Sequence, residues 1–104
     1  MILYSPIQLR NLEIKNRWVM SPMCMYSSNE GVATDFHYVH YGSRAQGGTG
    51  LLIVEATGVV PEGRITNKCM GLWNDEQGKA LKKIVDFVHE NSDSKIGIQL
   101  AHAG

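Results

Sequence analysis

Between residues 7 and 15 the chain alternates, with Ile7, Leu9, Leu12 and Ile14 apolar and Gln8 and Glu13 polar. Arg10-Asn11 falls where a two-residue turn belongs, and Asn tolerates the left-handed conformation such turns need, so residues 7–15 read as a hairpin. The short apolar run around Trp18-Val19-Met20 predicts a buried strand over 17–22, ended by Pro22, which cannot donate to a ladder. Residues 35–45 carry aromatic and small residues in a helical arrangement, with Thr34 or Asp35 as cap and Gly47-Gly48 as stop.

Leu51-Leu52-Ile53-Val54 is a continuous aliphatic run, which predicts a parallel strand covered on both faces, extending over 51–56. After a loop, Asn74 followed by Gln77 three residues on, with Asp75 and Glu76 in the first turn, marks a helix start. Leu81, Ile84, Val85 and Val88 then recur at i, i+3, i+4 and i+7 among charged residues, the stripe of a helix packed on a sheet. Asn91 to Ser94 break it, and a further strand is predicted over 96–100. The order is hairpin, β, α, β, α, β, an α/β class with parallel strands and right-handed crossovers. One domain accounts for residues 1–104, with no linker and no repeat. Because the last strand has no helix after it, the chain reads as the first part of a larger α/β domain. On pattern alone a truncated barrel and a small open sheet both fit.

Composition narrows function by exclusion. Ten Lys plus Arg balance ten Asp plus Glu, and no basic run occurs, which argues against a nucleic-acid partner. Cys24 and Cys69 are too few for a disulfide framework and lack C-x-x-C spacing, so a reducing, cytoplasmic setting is expected. No export signal and no stretch of about 20 apolar residues is present, so no membrane partner is expected.

In parallel α/β folds the chemistry gathers at the carboxyl ends of strands. Those ends here carry Ser21-Pro22-Met23-Cys24-Met25-Tyr26, Glu55-Ala56-Thr57 and Gln99-Leu100-Ala101-His102. A lone cysteine is more often a small buried hydrophobe than a reactive group. Tyr26 has an equally plain reading as a rim aromatic, and Gln99 as an amide bonded to a loop. Their coincidence at three strand ends weakens those readings. Gly42, Gly47, Gly48 and Gly50 precede a strand instead of following one, so they read as stops and turns and not as a phosphate loop. His37 and His40 lack a third ligand at matching spacing and read as packing histidines, so no metal is assigned. Pro61-Glu62-Gly63-Arg64 reads as a solvated turn and Trp73 as a core anchor.

Lys15-Asn16-Arg17, Ser21-Pro22-Met23-Cys24-Met25-Tyr26, Gly63-Arg64-Ile65-Thr66 and Ile98-Gln99-Leu100-Ala101-His102-Ala103-Gly104 stand in collinear order. Together they closely resemble the Old Yellow Enzyme family, in its cysteine-containing bacterial subgroup of NADPH dehydrogenases. The resemblance implies the amino-terminal portion of a (β/α)8 TIM barrel that binds FMN, takes hydride from NADPH or NADH and reduces activated C=C bonds of enone-type acceptors. It further implies that Ser21, Pro22, Met23 and Cys24 run along the flavin ring, with Cys24 near its reactive edge. Ala56 corresponds to the small residue under the flat ring and Gln99 to the amide pairing with its pyrimidine edge. Tyr26 corresponds to the catalytic phenol directed at the substrate oxygen; His102 lies in the motif without a separate role. A barrel of this type needs about 250 residues. The chain alone is therefore expected to lack activity and to be part of a longer polypeptide or a homo-oligomer. The competing expectation is a non-enzymatic βαβαβ interaction module that buries its open edge against a partner or a second copy.

Overall fold

The computed structural model describes residues 2–104. Ile7–Leu9 (β1) and Leu12–Ile14 (β2) form the hairpin, with Ile7 opposite Ile14 and Leu9 opposite Leu12. The left-handed residue of its turn is Arg10, at φ 53°, and not Asn11. The Arg10 carbonyl is held by the Gln8 side-chain amide at 2.8 Å, which fixes the turn without help from Asn11.

Val19–Met20 (β3), Leu51–Gly58 (β4) and Lys95–Ala101 (β6) form the parallel sheet, with β4 in the centre. The strand expected over 17–22 shrinks to two ladder residues. Before them, the Trp18 carbonyl takes the amides of Gly50 and Leu51 at 3.0 and 3.2 Å; after them, the chain leaves the sheet. Met70–Gly71 (β5) pairs with Thr57 and Gly58 on the flank that β3 has vacated, since β6 occupies the other flank throughout. Nothing in the pattern predicts β5, because a two-residue strand inside a loop has no periodicity of its own.

Asp35–Gln46 (α1) and Asp75–Asn91 (α2) cover one face of this sheet. Thr34 occupies the N-cap of α1, and Asn74 caps α2 by accepting the Gln77 amide at 2.9 Å. Met20, Tyr41, Ala45, Leu52, Val54, Met70, Leu81, Ile84 and Val88 make the core between helices and strands. Each fully buried aliphatic side chain there contributes about 1.5–3 kcal/mol. The two helices meet where Gly42 faces the Phe87 ring: a Cβ at Gly42 would lie 2.9 Å from Phe87 Cε1.

The second face of the sheet differs from expectation. Leu52 and Val54 are buried under the helices, whereas Leu51 and Ile53, on the opposite face, are only half-buried. Both faces of a barrel strand are apolar, but these residues supply a layer for only one. The loop between β4 and α2 is also more built than a solvated turn. Pro61–Gly63 is a 3₁₀ turn, and Gly63 is buried with its carbonyl taking the Ala103 amide at 2.9 Å. Arg64 lies 5.2 Å from the centre of the half-buried Trp73 ring, so Trp73 anchors this loop and not the main core.

Candidate functional site

Ala56 and Gln99 come to one face through an irregularity in the β4–β6 ladder. Ile53 pairs with Gly97 and Val54 with Ile98, but the next pair is Thr57 with Leu100. Two residues of β4, Glu55 and Ala56, therefore stand against one residue of β6, Gln99, which is a bulge. Val54 and Thr57 keep the helix-facing phase of Ile98 and Leu100. Glu55, the extra residue, also turns toward the helices, where its carboxylate meets α1. Ala56 is left on the open face with Gln99, which is exposed, whereas Ala56 is half-buried.

The third strand end supplies a strap. After β3, residues 21–27 leave the sheet, with Ser21, Met23 and Tyr26 exposed and Pro22 and Cys24 half-buried. The strap is caught again at Ser28, whose single hydroxyl proton is shared between the carbonyls of Lys68 and Cys69, 2.7 and 2.6 Å from its oxygen. Glu30-Gly31 then turns the chain with both residues left-handed, bridging Asn29 to Val32. The fully buried Gln77 side chain locks that turn, donating to the Glu30 carbonyl at 3.2 Å and accepting the Trp73 amide at 2.7 Å. A capping box would have sent Gln77 back to the Asn74 amide; it reaches Trp73 instead.

Tyr26 sits in this strap at φ 52°, a conformation that costs a residue with a Cβ about 1 kcal/mol. Such strain concentrates where a side chain must be aimed. The neighbouring Cys24 thiol foremost, then partial loss of water and Cys69, pushes the Tyr26 phenol above its ordinary 10. It stays a hydroxyl donor throughout the neutral range. Both cysteines are free thiols.

Behind the bulge lies a buried polar cluster that the pattern did not reveal. The Glu55 carboxylate accepts from His37 Nε2 at 3.1 Å and from the Tyr41 hydroxyl at 3.0 Å, while the Tyr41 oxygen accepts the Glu55 amide at 3.0 Å. His37 Nδ1 accepts the Thr34 amide at 3.0 Å, so its proton belongs on Nε2. Burial drives the Tyr41 phenol far above its ordinary range. The available signal was Glu55 itself, since a carboxylate following four aliphatics in a central strand needs buried partners.

His40, one turn along, has no such partner: its Nε2 is buried without a hydrogen bond, and its ring stacks on Phe36 with centroids 5.3 Å apart. Burial foremost, then Arg44, lowers its pKa from 6.5. The unfolded chain therefore binds a proton near pH 6.5 that the folded chain refuses, so stability is full above that pH and falls as the pH drops below it. Urea unfolding at about pH 8 and about pH 5.5 checks this: the midpoint should fall at the lower pH, and His40→Phe should remove part of that fall. An equal fall in wild type and variant would assign the loss to other groups.

A concavity of about 650 Å³ opens at the other end of the strands and is lined by Tyr4, Trp18, Val19 and Gly48 among others. It holds none of the three strand ends described above. Among the described residues, no helix is long and apolar enough to cross a membrane.

The model of the NADH:flavin oxidoreductase / NADH oxidase family matches residues 2–104. The chain belongs to this family. Within this flavin oxidoreductase family, an NADPH dehydrogenase from Listeria monocytogenes serotype 4b is 60% identical over 98% of the chain. One from Bacillus cytotoxicus is 57% identical over the same share. Among solved structures, morphinone reductase superposes with a TM-score of 0.90 at 34% identity, covering 98% of this chain and 26% of that one. Old Yellow Enzyme from a Pichia species gives 0.89 at 36% identity, over 97% of this chain and 26% of its own. The chain spans 30% of the length of the curated relatives it matches. Its β3, β4 and β6, with the helices between them, correspond to the amino-terminal part of the (β/α)8 barrel of the Old Yellow Enzymes.

Proposed function

We propose that this chain forms one wall of the FMN site of an NADPH-dependent oxidoreductase that reduces activated C=C bonds of enone-type acceptors. The carrying observation is the shared open face at the carboxyl end of the sheet, where the bulge sets small Ala56 beside the exposed amide of Gln99. A flat heteroaromatic ring needs such a face: a small residue beneath it and an amide at its edge offering both a donor and an acceptor. FMN, when bound, supplies the two-electron carrier between a nicotinamide and the acceptor.

The protein's own groups then bind and orient. The backbone of Ser21, Pro22 and Met23 would hold the ring, and the Cys24 thiol would offer it a weak, polarizable donor. Gln99 matches its amide to the pyrimidine edge. The exposed Tyr26, held in the strap with a left-handed backbone, would donate its O–H to the substrate carbonyl, where developing negative charge is stabilised. The relatives named NADPH dehydrogenase support NADPH as donor, and one related structure, of morphinone reductase, holds tetrahydroNAD.

Amide NMR of the chain titrated with FMN tests this reading. Signals of Ser21, Met23, Cys24, Ala56 and Gln99 should move selectively and saturably, and Gln99→Ala should weaken the effect about tenfold, the loss of one well-paired contact of about 1.4 kcal/mol. Shifts confined to residues away from these three strand ends, or scattered over both ends of the sheet, would overturn it.

A further inference from the structure

The buried cluster of Glu55, His37 and Tyr41 has a bearing on the open face that follows from strand register. Without the bulge, the pairing Ile53–Gly97 and Val54–Ile98 would continue as Glu55–Gln99, Ala56–Leu100 and Thr57–Ala101. Paired residues of parallel strands share a face, and a shift of one residue exchanges the faces. In that regular register Glu55 would stand on the open face beside Gln99, and Ala56 would turn toward the helices. The observed register does the reverse, and two features of α1 meet Glu55 in it.

The first feature is the Tyr41 hydroxyl. It accepts the Glu55 amide at 3.0 Å, so that N–H is satisfied by a side chain of α1 outside the sheet ladder. The second is a pair of buried donors for the carboxylate, Tyr41 Oη at 3.0 Å and His37 Nε2 at 3.1 Å. The His37 donor is itself fixed, because Nδ1 is committed to the Thr34 amide. Both His37 and Tyr41 are fully buried, and Glu55 nearly so. Burying the carboxylate costs little only while both donors are present.

We propose that Tyr41 and His37 are positioning residues for the flavin-facing wall: they hold Glu55 behind the strand, and by that choice of register place Ala56 and not a carboxylate on the open face. The assignment of that face to FMN rests on the function proposed above; the register choice does not. A carboxylate in the place of Ala56 would occupy the floor a flat ring needs and set a negative charge against its plane. The face offered to a flat ring is thus set by two fully buried side chains behind the strand.

Tyr41→Phe removes only the hydroxyl, and NMR of the 104-residue chain reads the register directly. In the wild type, cross-strand contacts should join Thr57 to Leu100, and the Glu55 amide should exchange with solvent as slowly as its neighbour Val54. In Tyr41→Phe, the contact from Leu100 should move to Ala56, with the Ile53–Gly97 contact retained. The FMN-induced shift at Gln99 should then need at least tenfold more FMN. A variant that keeps Thr57 against Leu100 overturns the proposal whatever its affinity for FMN. If the variant does not fold, the wild-type exchange decides, because a Glu55 amide exchanging at least a hundredfold faster than that of Val54 is not held by Tyr41. A wild type that shows the bulge and the slow amide, but in which FMN moves only residues away from the open face, leaves the register choice standing and sinks the flavin assignment alone.

Discussion

Glu55→Ala is expected to lower the folding free energy by about 3 kcal/mol, because it strands two buried donors at once. The Tyr41 hydroxyl and His37 Nε2–H both end on the carboxylate, in a site from which water is excluded. Each buried donor left without an acceptor costs about 1–3 kcal/mol, more than the bond contributed when made. In a domain of this size each kcal/mol moves Tm by roughly 4–8 °C, so the variant should melt lower by roughly 12–24 °C. Glu55→Gln keeps one acceptor oxygen and should lose about half as much. Thermal unfolding followed by circular dichroism separates the three proteins. An alanine variant within about 1 kcal/mol of wild type would mean that the two donors find other partners.

Gly50→Ala is expected to cost about 2–3 kcal/mol for a steric reason. A Cβ there would lie 2.6 Å from Asn16 Oδ1, 2.8 Å from the Asn16 carbonyl oxygen and 2.9 Å from Ile14 Cγ2. The carbonyl is main chain and cannot swing aside. The Asn16 side chain is also committed, accepting the Trp18 amide at 3.0 Å and donating to the Gly48 carbonyl at 2.8 Å. An added methyl group must therefore drive the hairpin away from the start of β4 and uncover Ile14, which is buried. Gly48→Ala is the informative contrast: its Cβ would meet nothing within 4 Å, and only its left-handed φ of 102° opposes the change, at about 1–2 kcal/mol. Urea denaturation of both variants checks the order, and equal losses would place the cost of Gly50→Ala in backbone entropy instead of collision.

Periodicity carried the larger elements. Of the predicted stripe, Leu81, Ile84 and Val88 are buried while Val85 is half-buried; the hairpin pairs as its alternation predicts, and the aliphatic run 51–54 lies in the central strand. What periodicity misses is pairing decided by distant partners. Met70–Gly71 becomes a strand only because β3 leaves a flank of β4 vacant. The bulge is invisible for a related reason: Glu55-Ala56-Thr57 reads as an ordinary polar strand end until Tyr41, fourteen residues earlier, is seen to take the Glu55 amide. Strand-end position drew attention to Glu55-Ala56-Thr57 and Gln99, and the family resemblance to Ala56 in particular, whereas the buried partners of Glu55 left no sign in the pattern. The spacing of His37 and His40 does not show that both His37 ring nitrogens are spent on Thr34 and Glu55.

The strap between Met20 and Ser28 is fixed at both ends, by the ladder to Leu52 and by the hydroxyl bonds to Lys68 and Cys69. Its seven intervening residues therefore behave as a measured length. A residue added or removed there cannot be absorbed by drifting ends, so it must rotate Cys24 and Tyr26 relative to the sheet. Variation in length should be tolerated at the exposed Arg10-Asn11 turn and selected against between Ser21 and Ser27. In a library of random single-residue insertions, chains that keep their fold but lose the orientation of Tyr26 should concentrate in that interval.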